Sequence, residues 1–260
     1  MEATTELAKE SRKETASART KERTKEKKLL ISAEEYKAAS VIVGTKVITG
    51  YMEQYVYKRR ADGLAIIDVE KTDHKIQAAA NFLAQFEPKD ILAFCKREAG
   101  WKPLEKFGEV TGARVFIRRY PAGTITNPTL PTFFEPKVLI TVDPWIDKNA
   151  IFDAQRIGIP VLSICDTNNV TNNLDLVIPA NNKTKSSIAI IFYLIAKGYA
   201  KARGLPFKAK ITDFDPDFES EIAAAISASA SVKAHISTQS QEQETSDSLE
   251  EKEESTQKAE

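Results

Sequence analysis

Three carboxylates, Asp68, Asp143 and Asp166, each directly follow a run that reads as a β-strand. Gathered at one edge of a sheet, they could hold Mg²⁺ for phosphoryl or hydrolytic chemistry. The same residue type also caps helices and shapes the turns that follow strands, which is its commoner use. Other catalytic signatures are missing. The sequence has neither G-x-G-x-x-G nor G-x-x-x-x-G-K-[ST], so the usual phosphate-cradling loops of nucleotide enzymes are not among its motifs. Of two histidines, His74 sits on the first turn of a helix among charged neighbours and His235 in a low-complexity tail, and neither lies near Cys95 or Cys165 in sequence.

Basic loops offer more material. "YKRR" carries Lys58, Arg59 and Arg60; "CKREAGWK" carries Lys96, Arg97, Trp101 and Lys102; "NNKTKSS" carries Asn181, Asn182, Lys183 and Lys185 immediately before a long helix. Free backbone N–H groups and the positive dipole end favour an anion such as phosphate at that helix start. "RRYPAGTITNPTLP" adds Arg118, Arg119, Thr124, Thr126 and Asn127, with no acid between Arg118 and Phe134. Thr and Asn side chains can bond phosphate and ribose oxygens, and prolines reduce the entropy lost when an extended loop is fixed. Several such loops around a domain without a catalytic set suit recognition of RNA by shape and backbone.

Those loops must be held by regular elements, and the apolar pattern supplies them. Ser32 and Glu35 fit a capping box that opens a short helix near Ala33 to Ala39. "QYVYK" and "LAIIDV" flank a turn with Asp62-Gly63 and read as a hairpin. Thr72 is placed to cap a helix carrying Ile76, Ala79, Ala80 and Leu83 at helical spacing. After Pro88 strands and helices alternate: "DILAFC", "KPLEKFGEV", "ARVFI", "KVLITV", a helix from Asp147 to Ile157, "PVLSIC", "LDLVIP", and a helix from Lys185 to Arg203 stopped by Gly204. Strands that are apolar throughout and alternate with helices imply an α/β fold, a three-layer doubly wound parallel sheet with helices on both faces. The last helix is apolar over more than one stripe, so it is sandwiched deeply or also meets a partner, with deep burial the expectation.

Charge divides the chain into three parts. The net charge is zero, but residues 1–30 hold nine basic against six acidic side chains and residues 217–260 hold three against eleven, leaving 25 basic and 20 acidic between them. Residues 1–30 read as a flexible basic arm, 31–210 as the folded domain, and 211–260 as a disordered acidic tail that stays off RNA. Two cysteines in apolar runs are too few for a disulfide framework and read as buried thiols of a reducing compartment. Ile188 to Ala196, the longest apolar run, is far short of the roughly 20 residues a membrane span needs. A soluble, cytosolic protein is expected, with neither a cofactor nor a metal. Beside the RNA-binding reading stand an Mg²⁺-dependent hydrolase or phosphotransferase using the aspartates, and a protein-interaction module using the last helix and the tail.

Over residues 30 to 206 the chain closely resembles the small-subunit ribosomal protein S2 family in its archaeal and eukaryotic branch. The motifs that carry it are "GYMEQYVYKRRADGLAIIDVEKTDHKI", "KFGEVTGARV", "AGTITNP", "EPKVLITVDPWIDKNAIFDAQRIGIPVLSICDTNN" and "DLVIPANNKTKSSIAIIFYLIAKGYAKARG", in that order. The resemblance implies a flavodoxin-like parallel sheet, no catalysis, and a structural place in the small ribosomal subunit of the cytoplasm. The implied partners are small-subunit rRNA near the junction of head and body and the neighbouring ribosomal proteins, with no membrane. Subunit assembly and translation would depend on it. Bacterial members insert a helical hairpin after the "TNP" element, whereas here only Thr129 to Pro136 separate Pro128 from the next strand. The long basic head and the tryptophan-free acidic tail favour an archaeal source. Three positions depart from the family pattern: Val43 stands for a histidine, Trp145 for an arginine, and Pro121 lies one place early, with Ala122 at the expected proline.

Overall fold

The computed structural model describes residues 29–218 together with Ser220 and Ala223. The basic arm up to residue 28 and almost all of the acidic tail lie outside the described residues. The elements in order are α1 (Ala33–Ala38), β1 (Val56–Arg59), β2 (Ala65–Ile67), α2 (Val69–Leu83), β3 (Ile91–Cys95), α3 (Trp101–Thr111), β4 (Arg114–Ile117), β5 (Val138–Thr141), α4 (Lys148–Ile157), β6 (Val161–Cys165), β7 (Leu176–Pro179), α5 (Lys185–Arg203) and α6 (Ile211–Phe214).

Burial explains the choice of strands. Every residue of β3, β5 and β6 is buried, as expected of strands covered on both faces. They form a five-stranded sheet of order β4-β3-β5-β6-β7, with all pairs parallel. From β3 the chain steps toward one edge to reach β4, and from β5 toward the other to reach β6. Right-handed crossovers therefore put α3 and α4 on opposite faces of the sheet. The reversal lies between β3 and β5, where a crevice opens at the strands' carboxyl ends.

The two faces are covered differently. On one, α5 packs between α2 and α3, with twelve of its residues buried; deep burial accounts for its extended apolar surface. On the other, α4 presses Ala150, Ile151 and Ala154 into a cluster with Leu92, Phe94, Leu139 and Val161. Among the described residues no second helix joins α4 there, because β4 connects to β5 through residues 118–137. That loop supplies Tyr120 and Ile125 to the cluster, and the Tyr120 ring meets Phe94 edge-on at 5.3 Å. "RRYPAGTITNPTLP" is thus partly a lid on the core.

β1 and β2 form a separate antiparallel pair whose turn uses Gly63 at φ +82°, a left-handed conformation that Gly adopts at little cost. β2 also pairs with residues 42–45, through Ile67 N–H to Ile42 O at 2.8 Å and Ala65 N–H to Thr45 O at 3.0 Å.

Two expectations need correction. Asp68, not Thr72, caps α2: its carboxylate accepts from Glu70 N–H, and the helix begins one turn earlier. Thr72 lies inside, donating its hydroxyl to Pro179 O at 2.7 Å and so tying α2 to β7. The fold also extends past residue 210, because Phe214 and Phe218 are buried and the Phe214 ring meets Tyr193 at 5.9 Å.

A close helix–helix contact lies at Gly198 of α5, where an added Cβ would be 2.6 Å from the Ala80 Cβ of α2. Gly198→Leu is expected to push the helices apart and cost about 1–3 kcal/mol. Urea denaturation of the full chain measures this, and an unchanged midpoint would mean that the helices do not meet there.

Candidate nucleic-acid interface

The loops at the carboxyl ends of β3, β5, β6 and β7 meet in a buried polar network. Asp147, at the start of α4, accepts hydrogen bonds from Lys96 N–H at 3.1 Å, Val142 N–H at 3.3 Å and Asp143 N–H at 3.2 Å. It thereby joins the ends of β3 and β5 across the crevice. Asp143 pairs with the Arg97 guanidinium and accepts from Trp145 N–H at 3.0 Å and the Asn169 amide at 3.2 Å. Asn169 in turn accepts from Asp166 N–H at 2.7 Å and from the Asn182 amide at 3.0 Å. Asn182 also donates toward the carbonyls of Val142 and Ile164, at 3.3 and 3.4 Å.

Electrostatics follow from burial. Loss of water pushes the Asp147 carboxyl up to about 6, with the Asp143 charge adding to the rise and the three backbone donors opposing it. Burial likewise pushes the Cys95 and Cys165 thiols up, so both are poor nucleophiles.

The three strand-end aspartates serve different partners. Asp68 caps α2, Asp143 holds Arg97, and Asp166 meets Lys183 Nζ at 2.9 Å while accepting from Thr167 N–H at 2.6 Å. Among the described residues no group of three or more His, Cys, Asp or Glu side chains is arranged to hold a metal ion. The hydrolase reading therefore loses its ligand set to structural roles. No helix among the described residues is long and apolar enough to cross a membrane.

The basic loops sort into two groups. Lys58, Arg59, Arg60, Lys96, Arg118, Arg119 and Lys185 are exposed. Lys58, Arg59 and Arg60 project from the β1 hairpin, where Arg60 makes only a surface contact with Asp62 at 3.4 Å. Arg118, at φ +67°, lays its guanidinium over the Trp101 ring at 4.9 Å from the centroid. Lys96 and Arg119 line a cleft of about 660 Å³ with Phe94, Tyr120 and Asn149, at the reversal point of the sheet. Neither cation is in a salt bridge with a described residue.

Most of the remaining candidates bond within the fold. Arg97 is bound to Asp143, and Lys183, though itself exposed, to Asp166. Asn181 and Asn182 are buried; the Asn181 amide donates to Ser40 O at 3.1 Å, and its oxygen accepts from Lys183 N–H at 2.9 Å. Thr124 is fully buried, with its hydroxyl on Pro121 O at 2.7 Å. Thr126 is half-buried. Asn127 is exposed but uses its oxygen to accept from Thr129 N–H and Thr129 Oγ1. Asn and Thr beside Gly and Pro favour such local bonds to the backbone, which compete with a ligand for the same atoms. Sequence reading passed over Asp147 and Asn169, the two residues that make the network continuous, because side chains joining four separate loops leave no periodic trace.

Comparison with known proteins gives a consistent result. Residues 131–202 match the family model described as ribosomal protein S2. A protein of Thermoplasma acidophilum named small ribosomal subunit protein uS2 is 44% identical over 203 residues, covering 76% of this chain and 100% of the relative. Proteins of the same name from Ignicoccus hospitalis and Methanococcus maripaludis are 47% and 45% identical over 177 residues, which is 68% of this chain and 84% and 80% of theirs. All three organisms are archaea.

The network makes a prediction about pH. Since the folded state raises the Asp147 pKa from 3.8 to about 6, its contribution to stability is greatest below about pH 4 and is lost as pH rises to about 6. Asp147→Asn removes this titration, so the variant's unfolding free energy should fall less steeply between pH 4 and 6 than that of the parent chain. Urea titrations across that range check it, and identical slopes would place the raised carboxyl elsewhere.

Proposed function

The chain belongs to the ribosomal protein S2 family, and we propose that it is a non-enzymatic structural component of the small ribosomal subunit, bound to its rRNA. The observation that carries this reading is the 44% identity extending over the whole length of a small-subunit protein. The archaeal relatives support an archaeal-type member of the family.

The geometry supports rRNA binding at two places. One is the β1–β2 hairpin with Lys58, Arg59 and Arg60. The other is the carboxyl edge of the sheet, where Lys96, Arg118, Arg119 and Lys185 face outward while the carboxylates behind them are engaged by internal donors. Exposed cations backed by neutralised acids attract phosphates without demanding a base sequence. Thr126 and Asn127 flank the same edge and would add hydroxyl and amide contacts, while Arg97, Lys183, Asn181, Asn182 and Thr124 would act by holding the loops in shape. Neighbouring ribosomal proteins, a position between head and body, and a cytoplasmic location complete the proposal.

The experiment is rRNA binding by the full chain over a series of salt concentrations. Lys96→Ala with Arg119→Ala should weaken binding and flatten the dependence of log K on log salt by about 2 units, as expected for two lost phosphate contacts. An unchanged slope would remove both residues from the interface.

Lys183 and Lys185 should separate cleanly. Lys185→Ala should lower the salt slope by about 1 unit and leave stability unchanged. Lys183→Ala strands the buried Asp166 carboxylate and should cost on the order of 1–3 kcal/mol in urea denaturation. The reverse pattern would mean that Lys183 faces phosphate.

A further inference from the structure

Beside the polar network lies a cleft that phosphate binding does not use. It occupies about 410 Å³ between the turn after β5, one side of α4 and the asparagine-rich loop after β6, a volume within the range of small-molecule sites. Trp145 is 71% exposed, Phe152 49% and Val170 48%, so three large apolar side chains meet solvent at one place. The backbone beneath them is not loose. Trp145 N–H is fixed on Asp143, and α4 is anchored through Ala150, Ile151 and Ala154. The fold thus displays an indole on a rigid mount.

We infer that this cleft is a nucleobase site, taking one unpaired base of an RNA strand between Trp145 and Phe152. The inference rests on the rRNA-binding reading above and deepens it by naming what is recognised there. Aromatic faces accept flat bases by stacking, and unpaired RNA bases are commonly held in this way. Amide groups at the rim match the donors and acceptors of a base edge. Asn172 makes no side-chain hydrogen bond with a described residue, and the Asn168 side-chain oxygen is shut away from solvent without a hydrogen-bond partner. A buried acceptor left in this state costs free energy, and a small rearrangement toward an exocyclic amine would relieve it.

Charge selects between occupants. Lys148 lines the cleft and no carboxylate among the described residues does, so the phosphate that accompanies a base is favoured there. An apolar protein segment would fill the aromatic part but leave the lysine and the free amides unmatched. A stacked nucleotide satisfies all three.

The test is titration of the full chain, followed by the fluorescence anisotropy of a 5′-labelled oligonucleotide, with single-stranded hexa-adenylate, an abasic hexamer of the same charge and a duplex of the same length. Hexa-adenylate should bind more tightly than either control. Trp145→Ala should weaken its binding about tenfold, Trp145→Phe much less, and Asn172→Ala by an intermediate amount. Equal binding of the abasic hexamer would mean that the cleft reads charge alone, and an unaffected Trp145→Ala would mean that no base stacks there; either result overturns the inference. Parallel titration with small-subunit rRNA separates the two levels. If rRNA binds but hexa-adenylate does not, the nucleobase site falls alone and the groove passes to a protein neighbour. If rRNA does not bind, the ribosomal reading falls and takes the nucleobase site with it.

Discussion

Polar groups at the carboxyl ends of the sheet lie where water is excluded, so their partners must come largely from within the protein. Most of those bonds belong to a single connected network, which leaves a few buried atoms, the Asn168 side-chain oxygen among them, without a partner among the described residues. Asp147 gathers backbone N–H groups from the ends of β3 and β5, Asp143 reaches Asn169, and Asn169 reaches both the end of β6 and Asn182 before α5. Buried bonds of this kind strengthen one another in a low-dielectric setting, so the members hold one another in place. The positions of the surrounding loops follow from it.

This explains how a fold with an open reversal point suits the proposed recognition of rRNA. In doubly wound sheets the crevice at that point is the usual ligand site. Here its carboxylates are occupied by Arg97, Lys183 and backbone donors, while Lys96 and Arg119 remain at the mouth. What faces outward is positive charge, aromatic surface and amide, which suits a polyanion carrying bases better than a metal-dependent reaction. The unequal cover of the two faces contributes as well. Because a loop and not a helix closes the sheet beside α4, arginines can ride on a segment whose Tyr120 and Ile125 are part of the core.

Much of the fold was legible in the sequence because its signals are local. Continuous apolar runs gave β3, β5 and β6, and Gly204 marked the end of α5 at Arg203. Where two residues competed for one role, the pattern could not decide. Asp68 and Thr72 both suit a helix start, and only the position of Pro179 makes Thr72 an internal donor. The site was less legible for the same reason. Lys183 and Lys185 look alike in sequence and both are exposed, but with the helical turn beginning between them only Lys183 reaches Asp166. Asn181 and Asn182 read as ligand-binding amides, yet their amide nitrogens donate to groups more than ten residues away in sequence. Composition identifies a residue as able to bond, and only the fold fixes what it bonds to.

The central claim is that this protein works as a built-in part of the small ribosomal subunit. Sedimentation of native lysate through a sucrose gradient, with the chain followed by antibody, tests it most directly. It should co-migrate with small subunits and with assembled ribosomes, and should move to the top of the gradient when ribonuclease destroys the rRNA. A chain found mainly at the top of the untreated gradient, with phosphatase activity in the same fractions, would contradict the claim.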